Sequence, residues 1–250
     1  MVSSMAWHGG YSKGLSKLTS YILRTNGAMR GAAPFTQRFL DCGANLGWFS
    51  LLAAAHGYAV TAFEPQANVA DLFQRAIDIN GFHDVIELKH GAVSNEPGPV
   101  VVRPERGNPG GAHVTAGQGA NSVPTFAVDD VVGDGRVFFM KVDVEGHEYK
   151  VMQSARRLLS EHRAEFVVFE FNQAKHASQV SSGVQVAELL FQFGYKSAIL
   201  CGHEFKPPDD MPFAEYIGTM RQVHSIDEFR SQIAIKGAAD VLFSTHDVIQ

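Results

Sequence analysis

Phe39-Leu40-Asp41-Cys42-Gly43-Ala44-Asn45-Leu46-Gly47-Trp48-Phe49-Ser50 is the stretch on which the fold turns. Arg38 to Cys42 reads as a short strand, and Gly47 to His56, closed by Gly57, as a helix. Between them Gly43 and Gly47 permit a tight turn, because a residue without a Cβ accepts positive φ at little cost. Strand, glycine turn and helix together form the opening unit of an α/β sheet with parallel strands.

The pattern continues outward from that unit. Ala59 to Phe63, Val85 to His90, Phe138 to Val142, Phe166 to Phe171, Tyr195 to Leu200 and Val241 to Ser244 read as strands. Asn68 to Asn80 is a helix whose apolar positions Val69, Leu72, Phe73, Ala76 and Ile77 recur at helical spacing, with Gly81 placed to cap it. Further helices carry Val151, Met152, Ala155, Leu158 and Leu159, then Val184 to Phe193, then Ile226 to Ile235. Val100 to Val102 and Thr125 to Val128 read as short strands around a Gly-rich loop at 103–121, and 202–222, with Pro207, Pro208 and Pro212, as an insertion. The expected organisation is a basic N-terminal segment with a helix at 1–38, striped by Leu15, Leu18, Ile22 and Leu23, followed by one domain at 39–250.

Composition narrows the function. A chain of 250 residues that is 45% hydrophobic builds a core without disulfides or a structural metal. Cys42 and Cys201 are too far apart for a zinc spacing and point to a reducing compartment, so an intracellular, cytoplasmic location is expected. The first forty residues hold five basic and no acidic side chains, which also resembles an organellar transit peptide. A net charge of −5 argues against nucleic acid as the main partner, and no 18-residue apolar window suggests a membrane span. A small or neutral acceptor fits better.

In a doubly wound sheet ligands bind at the carboxyl ends of the strands. A dinucleotide turn would place a glycine where Asn45 stands, and Asp41 would repel a pyrophosphate but attract an amine or a sulfonium. The next strand ends in Phe63-Glu64-Pro65, where Glu64, 21 residues after Gly43, is placed to accept both hydroxyls of an adenosine ribose. Together these features point to a nucleoside cofactor of the S-adenosylmethionine type. A third strand end runs Lys141-Val142-Asp143-Val144-Glu145-Gly146-His147-Glu148.

On these three stretches, from Phe39 to Asn172, the sequence resembles the FkbM-type S-adenosylmethionine-dependent methyltransferases. The resemblance implies a class I methyltransferase (Rossmann-like) fold, a doubly wound sheet of about seven strands with the last antiparallel. It also implies methyl transfer to a hydroxyl of a small molecule or sugar. Carried over, Asp41, Gly43, Asn45 and Gly47 would surround the methionine moiety of the cofactor, Glu64 the ribose, and Ala92 and Val93 the adenine. Ala44, Phe49, Pro65 and Asp143 complete the expected cofactor set.

The residues alone give a compatible reading of the acidic stretch. Asp143 and Glu145 point to one side of an extended strand end, and Gly146 lets the chain turn so that His147 joins them. Asp143, Glu145 and His147 are therefore the candidate catalytic groups for orienting an acceptor hydroxyl and removing its proton, with His147 having the ordinary pKa nearest neutral. The competing reading is that Glu145 and Glu148 only charge the first turn of the following helix.

Asn108, His113, Glu170 and Asn172 are candidate acceptor contacts. Asp143, Glu170 and Asn172 are also oxygen donors of the kind that hold Mg²⁺, although no metal is expected, and Glu170 is alternatively a partner of Lys141. The alternative function is a catalytically degenerate methyltransferase fold that acts as a binding protein. A nicotinamide-dependent oxidoreductase is disfavoured by Asn45.

Overall fold

The computed structural model describes residues 13–29, 37–105, 108–172, 177–202, 215, 222–236 and 238–245. Its centre is an eight-stranded sheet in the order β12-β11-β13-β10-β9-β1-β2-β3. The strands are β1 (Arg38–Cys42), β2 (Ala59–Glu64), β3 (Ile86–His90), β9 (Val137–Val142), β10 (Ala164–Asn172), β11 (Ser197–Gly202), β12 (Gln222–Val223) and β13 (Ala238–Ser244). Strands β3, β2, β1, β9 and β10 are mutually parallel, while β13 runs antiparallel to both β10 and β11. This is the class I methyltransferase sheet of seven strands with its last strand reversed, extended by the short edge strand β12, which pairs antiparallel with β11.

Alternation along the strands divides the core between two faces. On one face Phe39, Phe139, Phe166, Val168 and Leu242 pack with α1 (Lys13–Met29), α2 (Trp48–Ala55) and α3 (Ala67–Asn80). Here the Phe39 and Phe139 rings stack at 5.2 Å. The other face packs Leu40, Cys42, Met140, Val142, Val167 and Phe169 against α5 (Glu148–Ser154), α6 (Arg156–Ser160), α7 (Ala177–Gln192) and α8 (Ile226–Lys236). All six residues of β9 are buried, as expected of the central strand.

The N-terminal helix α1 shares the first of these cores. Its stripe Leu15, Leu18, Ile22 and Leu23 is buried. Trp48 Nε1 donates to Ser16 Oγ at 2.9 Å, and the Tyr58 hydroxyl donates to the Leu23 carbonyl at 2.9 Å. Trp7 and nearly all of the 202–222 insertion lie outside the described residues.

The stretch read as a loop is mostly strand. β5 (Val100–Glu105) pairs antiparallel with β6 (Asn108–Ala116) and with β7 (Ser122–Val123), and β4 (Ala92–Val93) pairs with β8 (Thr125–Phe126). Of the residues that suggested a loop, Pro109, Gly110 and Gly111 lie at the start of β6, Pro104 at a register shift beside Glu105, and Gly117 and Gly119 in the connection from β6 to β7. Alternating Val100, Val102, Ala112 and Val114 supply a small apolar face, which packs with Ala92 and Val123. The helix expected across Val151 to Leu159 is two helices, α5 and α6, separated at Ala155. A short helix α4 (Val128–Val132) precedes β9.

Candidate active site

The carboxyl ends of β1, β2, β3 and β9 open into one cleft. Its walls come from the turn after β1 (Gly43, Asn45), the end of β2 (Phe63, Glu64, Pro65, Gln66), the segment after β3 (Gly91, Ala92, Val93), the acidic turn after β9 (Asp143, Val144, Glu145, His147) and the hairpin strand β6 (Ala112, Val114).

The β1 turn is fixed by its neighbours. The backbone N–H groups of Gly43 and Ala44 both donate to the Phe63 carbonyl, at 3.0 and 2.8 Å, and that of Asp143 donates to the Cys42 carbonyl at 3.0 Å. Gly43 has φ of +82°, and a Cβ on it would lie 1.9 Å from the Asp143 carbonyl oxygen. Glycine here is what allows the first strand's turn to touch the fourth's. At Gly47, φ is +80° and a Cβ would enter the Phe73 ring of α3, so this glycine serves packing behind the cleft.

Glu64 is 4% exposed and stands at the middle of the cleft wall. Its two oxygens accept the backbone N–H groups of Asn45 at 2.9 Å and Gln66 at 2.8 Å. Burial pushes its carboxyl above the usual range, against those two donors, which favour the carboxylate. Each carboxylate oxygen has further lone-pair capacity for a ligand hydroxyl.

Asp41 does not reach the cleft, contrary to expectation. It is fully buried, its Oδ2 accepting the Ser50 hydroxyl at 2.7 Å and its Oδ1 lying 3.3 Å from Lys141 Nζ. β1 and β9 pair with Asp41 directly opposite Lys141, so two polar side chains in apolar strands satisfy each other. Lys141 also donates to the Gly43 carbonyl at 3.1 Å, reaches Asp143 Oδ2 at 3.5 Å and lies 5.3 Å from the Phe49 ring centroid. Burial opposes its charge, but Asp41 and Asp143 outweigh it and hold the ammonium above the usual lysine range. Ala44, Gly47 and Phe49, expected to touch a cofactor, are buried behind the turn instead. Ala44 and Phe49 belong to the core under the helix that follows, which packs on the sheet.

The acidic turn carries Asp143, Glu145 and His147 to the cleft wall supplied by β9, with His147 reaching across to the segment after β3. Glu145 is held at φ +53°, a left-handed conformation that a side chain adopts at a cost. Glu148 keeps the turn in shape, its Oε1 accepting the N–H groups of Gly146 at 3.0 Å and Val144 at 3.3 Å. The structural role therefore falls to Glu148, while Glu145 lines the cleft. His147 Nε2 lies 3.3 Å from the hydroxyl of Ser94, and burial, aided by Lys150, pushes its pKa down to about 4. The imidazole is thus neutral at neutral pH, and its ordinary pKa is a poor guide to it here.

The remaining candidates are scattered. His113 does not line the cleft, but its Nδ1 lies 3.1 Å from the Glu145 carbonyl. Glu170 sits on β10 opposite Asp240 of β13, away from the cleft. Asn108 and Asn172 lie at the ends of β6 and β10, with side chains outside the described residues. Among the described residues no group of three or more His, Cys, Asp or Glu is arranged to hold a metal ion. None of their helices is long and apolar enough to cross a membrane.

Sequence reading missed Lys141, Ser94, Gln66, Ala112 and Val114. A lysine inside an otherwise apolar buried strand was a signal for the first, since such a charge requires a partner.

Comparison with known proteins gives the family and the fold. Residues 41–197 match the family model described as the Methyltransferase FkbM domain. The hexuronic acid methyltransferase AglP of Haloferax volcanii is 28% identical over 152 residues, which cover 60% of this chain and 62% of AglP. The chain thus spans less than two thirds of that relative's length. Among solved structures, WbdD bound to the kinase inhibitor LY294002 superposes with a TM-score of 0.52 at 13% identity, over 94% of this chain and 41% of WbdD. A structure titled as the bifunctional kinase-methyltransferase WbdD gives 0.51 at 12% identity, over 97% and 41%. At such identities the likeness is one of fold.

Proposed function

We propose, since the chain belongs to the FkbM methyltransferase family, that its cleft binds S-adenosylmethionine and directs the methyl group to a hydroxyl oxygen of a sugar or similar small molecule. The observation that carries this reading is the order of chemistry along one cleft. The strand order β9-β1-β2-β3 sets Asp143 and Glu145, after β9, on one side of the buried carboxylate of Glu64, and aliphatic Ala92 and Val93, after β3, on the other. A purine, a ribose diol and a cationic sulfonium with its ammonium present the complementary sequence of groups. When bound, the cofactor supplies an electrophilic methyl carbon on a positively charged sulfur.

The chain's own residues do the rest. Glu64 accepts the ribose hydroxyls. The Gly43–Asn45 turn brings backbone close to the ligand where a Cβ would collide with Asp143. Asp143, tethered by Lys141 but 45% exposed at its side chain, and Glu145 give the acidic side of the cleft a negative field that favours a cation. As the acceptor oxygen attacks in line, one of these carboxylates takes the hydroxyl proton. His147, neutral and held by Ser94, orients the hydroxyl as a hydrogen-bond partner. The hexuronic acid named for AglP supports a sugar as the acceptor class.

Calorimetric titration tests the reading, with S-adenosylhomocysteine as ligand and a nicotinamide dinucleotide as control. Micromolar binding of the first alone is expected. Glu64→Gln should weaken it by about 1–3 kcal/mol, the cost of imperfectly paired ribose hydroxyls. Binding of neither ligand would favour a fold that has lost its cofactor.

A further inference from the structure

The β5–β6 hairpin is not needed to complete the central sheet, yet it contributes to the cleft. Ala112 and Val114, two residues apart on β6, lie on the same side of that strand. Val114 stands opposite Val102 of β5, and both Ala112 and Val114 pack onto the cluster of Ala92, Val100, Val102 and Val123. They remain part-exposed and line the cleft together with Ala92 and Val93. The result is one continuous aliphatic wall, in which Ala112 and Val114 of β6 extend the surface begun by Ala92 and Val93.

The hairpin is anchored to two walls of the cleft. Its apolar face rests on Ala92, and His113, between the two lining residues, uses Nδ1–H to reach the carbonyl oxygen of Glu145 at 3.1 Å. One strand therefore spans from the aliphatic wall to the acidic turn.

We propose that β6 is a ligand-binding element in which Ala112 and Val114 extend the aliphatic wall of Ala92 and Val93 against the adenine ring. The assignment rests on the cofactor reading above. A flat aromatic base presents a broad apolar face and suits such an aliphatic wall. A sugar acceptor would require hydrogen-bond partners that alanine and valine side chains lack. The small Ala112 side chain keeps the cleft open in front of this wall, so its size sets what enters.

The test is titration of S-adenosylhomocysteine into the wild type and three variants, each checked for an unchanged thermal melt. Ala112→Phe crowds the cleft in front of the wall and should weaken binding about tenfold or more. Val114→Ala, which shortens the wall without crowding it, should weaken binding about three- to tenfold, the loss expected for one or two methyl-sized contacts. Thr115→Phe, exposed on the other side of the strand, should bind as the wild type does. If folded Ala112→Phe and Val114→Ala proteins bind like the wild type, the hairpin assignment fails while the cofactor reading stands. If the wild type binds no S-adenosylhomocysteine, both fail.

Discussion

Acid should unfold this protein partly through one imidazole. The ring of His147 has a pKa of about 4 in the folded chain, against 6.5 for a free ring. Between those values the unfolded chain binds more protons than the folded one, so stability is complete above about pH 6.5 and declines as pH falls toward 4. The full shift would remove about 2 kcal/mol between pH 7 and pH 5, and partial solvent access to the ring lowers this to about 1 kcal/mol. Glu64 and Glu148, whose pKa values are raised by burial, act in the opposite direction and must be subtracted. The assay is urea denaturation of the wild type and His147→Gln at both pH values. Glutamine keeps a hydrogen-bonding group near Ser94 but does not titrate, so the variant should lose about 1 kcal/mol less than the wild type on acidification. Equal losses would refute the argument. The same neutral ring implies a rate profile without an inflection near pH 6.5 from this residue.

Two other perturbations probe the cleft's foundations. Gly43→Ala drives a methyl group to 1.9 Å from the Asp143 carbonyl at a φ of +82°, so it should cost about 3 kcal/mol or more and lower the thermal midpoint by roughly 6–12 °C. A midpoint within experimental error of the wild type would show that β1 and β9 separate freely. Lys141→Met should cost about 3–5 kcal/mol by leaving the buried Asp41 without its cation, Asp41→Asn less because Lys141 keeps Asp143, and the double variant less than the sum of the two. Strictly additive losses in denaturant melts would contradict the pairing.

The parts of this fold legible in the sequence are those in which local pattern and tertiary role coincide. β1, β2, β9 and α3 show it, since apolar runs and helical spacing there match buried faces. The hairpin escaped because Gly107, Pro109, Gly110 and Gly111 dominate the composition around a short alternation, Ala112 and Val114, whose significance depends on Ala92 lying beneath it. The acidic turn was legible as a cluster, since Asp143, Glu145 and His147 do converge on the cleft. The burial of Asp41 was not legible, because its orientation follows from pairing with a strand a hundred residues away. Spacing gave the Glu64 position, whereas its two backbone donors emerge only when the β1 turn folds over β2.

The Asp41–Lys141 pair also bears on how the chain finds its alignment. Sliding β9 along β1 by two residues preserves the inward and outward alternation of every side chain, so hydrophobicity alone distinguishes the correct alignment poorly. In one direction the slip sets Lys141 beside Gly43 and Asp41 beside Phe139; in the other, Lys141 meets Phe39 and Asp41 meets Asp143. Either misalignment buries charges without opposite partners at a cost of several kcal/mol. The pair therefore acts as a vernier between the two central strands, raising the energy of near-miss sheets more than it lowers that of the native one. It fixes how far the turn after β1 stands from the turn after β9, and with it the width of the cleft between them.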